Sequence, residues 1–153
     1  MCSTRVILVN KKFMKTDKDG AAVLIFKDNQ VLLVKHGPKA HHVNNVYGLP
    51  CGTIEPGENI KATAVRELKE ETGLITKEDD LAVFPNNYFV SQIKYKDGIL
   101  RTMSMTVFVC TKYSGILQNS QETIPEWVDI SRLDKLDLLP NVTEAITLGG
   151  KIL

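Results

Sequence analysis

The chain has 153 residues, enough for about one domain with a substantial core. Hydrophobic residues make up 43% and charged residues 24%, which excludes a disordered chain, collagen or a coiled coil. Nineteen Lys and Arg against eighteen Asp and Glu leave +1, so no global field draws the chain to nucleic acid or an acidic membrane. Cys2, Cys51 and Cys110 form no C-x-x-C and no zinc pattern, and they fit a reducing interior. Val6 to Val9 is too short for a signal-peptide core, and Ala21 to Phe26 is far below a membrane span. The expectation is a single domain over 1–153, soluble and cytoplasmic, with no membrane or nucleic-acid partner.

In chain order, Gly20–Phe26 and Val31–Lys35 are apolar runs either side of Lys27-Asp28-Asn29-Gln30, and they predict a β-hairpin. Residues 36–46 and 47–58 read as loops, the second because of Pro50, Gly52, Pro56 and Gly57. Residues 59–72 predict a helix, with Asn59 as N-cap and Gly73 as the stop. Tyr88–Val90 and Leu100–Cys110 predict strands around a Lys96-Asp97-Gly98 turn. Glu126–Val128 predicts a further strand, Asp129–Ser131 a helical turn and Val142–Leu148 a last helix. That order implies a mixed sheet covered by helices, an α/β or α+β domain.

The segment that carries chemistry is Gly52-x5-Glu58-x7-Arg66-Glu67-Leu68-x-Glu70-Glu71-x-Gly73-Leu74. At 100° per residue, Glu70 and Glu71 fall about 60° and 40° either side of Glu67. The three carboxylates therefore share one helix face, with Val65, Leu68 and Thr72 turned away. Carboxylates at this spacing repel by about 0.2–0.5 kcal/mol per pair, and Arg66 alone does not neutralise three. Oxygens fixed on a rigid helix suit a hard divalent cation, which takes about six oxygen ligands and keeps waters and phosphates among them. A solvated face with surplus glutamates is the plainer reading of E-x-x-E-E alone. For all nine specified positions, a random match in a chain of this length is about a one-in-thirty-million event.

This segment resembles the Nudix box, G-x5-E-x7-R-E-U-x-E-E-x-G-U, at every specified position. Tyr47-Gly48-Leu49-Pro50-Cys51-Gly52 resembles the family's lead-in, except that Cys51 replaces a glycine. The resemblance implies a Nudix-type α/β/α sandwich with a mixed central sheet. It implies hydrolysis of a nucleoside diphosphate linked to a group X, with Mg²⁺ or Mn²⁺ as cofactor. Carried over by position, Glu67, Glu70 and Glu71 are metal ligands, and Glu67 or Glu70 also orients or deprotonates water. The Cys51 carbonyl joins the ligand set, Arg66 orients the glutamates, and Glu58 buttresses the loop. Glu122 is a late-loop base or metal ligand, or plain surface. Glu126-Trp127 resembles a frequent strand start. Lys35 stands where relatives carry a cation facing phosphate, or is solvated. Asn141 reads the base in some relatives, or caps the last helix. His36, His41 and His42 read as exposed loop residues, with a substrate contact as the lesser reading.

The box and the short length resemble the MutT-type branch, which converts a (deoxy)nucleoside triphosphate to monophosphate and pyrophosphate. ADP-ribose or nucleotide-sugar hydrolysis is the alternative, although the proline such relatives carry after the box is absent. The tyrosine of dinucleoside-polyphosphate relatives is also missing from its place. A non-catalytic nucleotide sensor is a further alternative, opposed by the intact glutamates. RNA cap removal would need a basic surface, for which Lys11-Lys12 and Lys94/Lys96 offer only a small patch. A small-molecule nucleotide is the expected partner, and the chain a monomer or homodimer.

Overall fold

A computed structural model describes residues 15–40 and 45–153; Cys2, Lys11, Lys12, His41 and His42 lie outside them. The described strands are β1 (Lys18–Leu24), β2 (Phe26–Lys27), β3 (Gln30–His36), β4 (Tyr47–Gly48), β5 (Cys51–Thr53), β6 (Leu81–Ala82), β7 (Tyr88–Lys94), β8 (Leu100–Cys110) and β9 (Thr123–Asp129). Helix α1 spans Ile60–Thr72 and α2 spans Val142–Gly150, with 3-10 turns at Glu78–Asp80 and Ile130–Lys135.

The strands form two sheets. The first runs β5-β1-β8-β6, with β7 also on β8. It is mixed, because β1 and β8 are parallel (Gly20 opposite Met105) while the other pairs are antiparallel. The second is antiparallel, β2-β3-β4 with β9 on β3. Helix α1 packs on β1, β5 and β9, and α2 packs on β1 and β8. The fold is thus an α/β/α sandwich whose sheet is divided in two.

The predicted hairpin is corrected. Only its tip forms: Phe26–Lys27 folds back onto Gln30–Val31, with the Ile25 carbonyl accepting the Leu32 N–H at 3.0 Å, around a turn in which Asp28 takes φ 54°. Gly20–Leu24 instead enters the first sheet beside β8. The reason is burial on both faces, since Ala21 to Ile25 are at most 1% exposed. Ala22 and Leu24 pack with Val107, Val109 and Ile146 on the α2 side. Ala21, Val23 and Ile25 pack with Ala64, Leu68 and Phe108 on the α1 side. A run buried on both faces belongs at a sheet centre.

The predicted loop over 47–58 is also corrected, since β4 and β5 lie inside it. Pro50 is compatible because it needs no donor: its carbonyl accepts the Val23 N–H at 3.0 Å, just before β5 begins.

Helix α1 forms as its caps dictate. Asn59 accepts the Ala62 N–H at 2.8 Å, and Gly73 stops the helix at φ 83°. A Cβ at Gly73 would also stand 2.7 Å from the Ile116 carbonyl oxygen. Burying Leu68 alone is worth about 1.5–3 kcal/mol. The β7–β8 hairpin pairs as expected, and Gly98 in its turn has φ 84°. Strand β9 starts at Thr123, three residues earlier than predicted, which puts Glu122 at its entry. Asp129 opens the following turn by accepting the Ser131 N–H at 2.9 Å.

Candidate active site

Strand β5 is the edge of the first sheet, and its outer side faces α1. The Val23–Pro50 bond sets the alternation of the β1–β5 ladder, so the Cys51 N–H and C=O both point off that edge. The N–H donates to Glu71 Oε1 at 2.6 Å. The Cys51 carbonyl therefore sits on the same edge as the glutamates. Cys51 is in extended strand, so the Cβ that replaces a glycine here is accommodated. Its thiol is pushed well up by burial, reinforced by Glu71 and Glu67, and stays a neutral filler. A Cβ at Gly52 would strike the Glu67 carboxyl group, so any larger residue there would displace that carboxyl from its present position.

Arg66 organises the acidic residues. Its Nε donates to Glu58 Oε2 at 2.7 Å and its Nη2 to Glu58 Oε1 at 3.0 Å. Nη1 reaches Glu67 Oε1 at 2.7 Å and Glu70 Oε2 at 3.2 Å, and Nη2 also binds the Thr53 carbonyl. Glu58 further accepts from Thr63 Oγ1 at 2.6 Å and the Glu55 N–H at 3.1 Å. The Arg66 bonds, with help from Thr63, hold the Glu58 carboxyl down at about 2.

A cavity of about 230 Å³ opens beside this network. Glu67 and Glu71 line it from α1, with Cys51 and Gly52 from β5 and Glu122 from the loop before β9. Phe89, Met103 and Met105 form apolar wall, and Asn141 closes it from the start of α2. Burial pushes the Glu71 carboxyl up to about 8; the Cys51 N–H opposes this, while Glu67, Glu122 and Glu70 add to it. Glu67 is likewise raised by burial, against the pull of Arg66.

Not every expected residue comes together here. Glu70 stands on Arg66 at the rim with its side chain 58% exposed, outside the cavity lining. Among the described residues, no three His, Cys, Asp or Glu side chains converge as a ready-made metal cage. Hydrogen bonds to Arg66 and the Cys51 amide hold the glutamates instead. The donors still fit a hard cation: buried, mutually repelling carboxylate oxygens beside an outward-directed carbonyl are what such an ion neutralises.

Lys35 stands apart from the cavity lining. It lies opposite Tyr47 and Ile124, with Nζ 6.0 Å from the Tyr47 ring centroid. Alternation along β3 turns the next residue, His36, inward instead. His36 is 5% exposed and lines the cavity, contrary to its reading as an exposed loop residue. Its Nδ1 lies 3.1 Å from the Val46 carbonyl, and burial lowers its pKa. The sequence carried no signal for this inward placement, because Val31 to Val34 are apolar at both parities.

Asn141 precedes α2 at φ 69° and makes no side-chain capping bond. Its Oδ1 is buried without a hydrogen-bond partner.

The chain matches the family model described as NUDIX domain over residues 16–147. An ADP-ribose pyrophosphatase of Methanocaldococcus jannaschii is 46% identical over 54 residues, covering 35% of this chain and 31% of that protein. An oxidized purine nucleoside triphosphate hydrolase of Danio rerio is 32% identical over 123 residues, covering 78% of this chain and 71% of that protein. The matched part spans less than about two-thirds of the first curated relatives' own lengths. The crystal structure of a MutT NUDIX hydrolase from Burkholderia pseudomallei superposes with a TM-score of 0.68 at 19% identity, covering 86% of this chain and 96% of that one. No helix among the described residues is long and apolar enough to cross a membrane. With the box on α1 and the family model spanning most of its length, this chain belongs to the NUDIX domain family.

Proposed function

We propose that this chain hydrolyses a nucleoside diphosphate linked to X, and that X is phosphate: a (deoxy)nucleoside triphosphate is cut to monophosphate and pyrophosphate. The observation that carries the reading is one cavity with two kinds of wall. Glu67, Glu71 and Glu122 line it together with Asn141, whose buried amide oxygen lacks a partner. An orphaned buried acceptor costs about 1–3 kcal/mol, and an N–H donor on a nucleobase edge removes that cost. Phe89, Met103 and Met105 suit the faces of a planar ring. The name of the Danio rerio relative points to the same substrate class.

Glu67, Glu71 and the Cys51 carbonyl would hold a divalent cation, Mg²⁺ or Mn²⁺, with Glu70 at the rim. Such a cation, when bound, neutralises phosphate charge and acidifies water. Arg66 keeps the Glu67 carboxylate aimed and is itself fixed by Glu58. Glu122 would face the same cation across the cavity as a further ligand, or serve as the base; it or a box glutamate accepts the proton of the attacking water. His36 adds a neutral ring to the cavity wall.

ADP-ribose is the second reading, favoured by the name of the Methanocaldococcus jannaschii relative, matched over 54 residues. Product analysis separates the two. Purified chain with Mg²⁺ should release pyrophosphate from a purine nucleoside triphosphate. Release of AMP and ribose phosphate from ADP-ribose, without triphosphate cleavage, would replace the first reading with the second.

A further inference from the structure

Helix α1 ends against the loop that carries Glu122, and hydroxyl groups join them. A helix leaves its last carbonyls without intrahelical donors. Here Gly73 N–H takes the Lys69 carbonyl at 2.9 Å, Gln118 N–H takes Thr72 at 2.8 Å, and Thr123 Oγ1 takes Glu71 at 3.1 Å. Thr123 is 1% exposed. Its hydroxyl proton goes to the Glu71 carbonyl, so the Ser120 hydroxyl, 2.8 Å away, donates to Thr123 Oγ1. Ser120 Oγ in turn accepts the Thr123 N–H at 3.0 Å and the Glu122 N–H at 3.3 Å. From the other side, Gly37 N–H donates to the Glu122 carbonyl at 2.8 Å. An unbroken chain of hydrogen bonds thus runs from the Glu122 amide, through two hydroxyls, to the backbone of Glu71.

Glu122 and Glu71 line one cavity. The hydroxyl chain ties the amide of the first to the backbone of the second, across the gap between loop and helix.

We propose that Ser120 and Thr123 are positioning residues that hold Glu122 against the α1 glutamates. The proposal rests on the reading of Glu122 as part of the reactive site. Neither hydroxyl touches substrate; both act through Glu122.

The test compares Thr123→Val, Thr123→Ser, Glu122→Gln and the Val/Gln double variant of the full chain. Binding of Mn²⁺ alone is titrated by electron paramagnetic resonance. Turnover is followed with dGTP and ADP-ribose as probes. Removing a partner that orients a ligand group typically costs 10–100-fold, so Thr123→Val should weaken Mn²⁺ binding about tenfold and lower kcat similarly, with KM within about twofold. Thr123→Ser should stay within about twofold of wild type, since it keeps the hydroxyl. The double variant should be no worse than Glu122→Gln alone.

Wild-type Mn²⁺ binding and kcat in Thr123→Val, with Glu122→Gln impaired, would overturn the proposal. So would penalties that add in full in the double variant. Wild-type behaviour of Glu122→Gln would instead sink the reading of Glu122, and the proposal with it. Should Thr123→Val fail to fold, Ser120→Ala carries the same test and leaves β9 intact.

Discussion

The Cys51 amide donates to Glu71 Oε1 at 2.6 Å, joining the edge of a sheet to a helix face twenty residues away. This bond fixes the Glu71 carboxyl group in place, although burial still pushes its pKa up. It also sets the Cys51 carbonyl beside that carboxylate. Glutamine at 71 still offers the oxygen and removes the charge. Glu71→Gln should therefore keep its fold, lose Mn²⁺ binding and lose kcat by about 100-fold or more, beyond the loss typical of an outer-shell partner. Circular dichroism and Mn²⁺ titration check both halves.

A cation that binds only the folded state stabilises it in proportion to the logarithm of its concentration. Mg²⁺ or Mn²⁺ should raise the Tm of the wild type by several degrees at saturating concentration. Glu71→Gln should show no such rise. A thermal scan with and without EDTA measures this directly.

The acid limb of stability reports on Glu58. Its carboxyl titrates at about 2 in the fold, chiefly through Arg66 and Thr63. The unfolded value is about 4.3. A depressed carboxyl contributes its full stability above the unfolded value and loses it as pH falls toward the folded one. Glu58→Gln should be less stable than wild type at pH 6. The two Tm curves should converge between about pH 4.3 and 2.

Asn141 combines strain and an orphaned acceptor. Asn141→Gly removes both, since glycine accepts φ 69° freely. It should raise stability by about 1 kcal/mol, measured by urea unfolding. It should also lower kcat/KM for the purine triphosphate by about tenfold or more, through lost base recognition. Stability gained at the expense of specificity is the pattern of a residue kept for its ligand.

The core makes a plainer prediction. Leu68 is fully buried between α1 and β1. Leu68→Ala should cost about 2–5 kcal/mol by denaturant unfolding.

Helix α1 and its acidic face were legible in the sequence because caps and helical spacing are local. Asn59, Gly73 and the three glutamates sit within fifteen positions of one another. The course of Gly20–Leu24 was not legible, because its partner is β8, some eighty residues away. Only burial on both faces, visible as an unbroken apolar run, hinted that a hairpin was the wrong pairing. Lys35 and His36 take opposite faces of β3, and the run Val31–Val34, apolar at both parities, did not mark which face meets the cavity. The acidic spacing foretold the shared face of the glutamates but not that Arg66 draws Glu70 to the rim. Asn141 could be placed near the last helix, whereas its buried, unpartnered oxygen emerges only from packing.

The most direct measurement is pyrophosphate release, with Mg²⁺, from a panel of unmodified and oxidised purine and pyrimidine nucleoside triphosphates, beside Glu71→Gln. The wild type should yield monophosphate and pyrophosphate from a purine triphosphate, and Glu71→Gln none. Equal release by both proteins, or no release by a folded wild type that binds Mn²⁺, would contradict the proposed function.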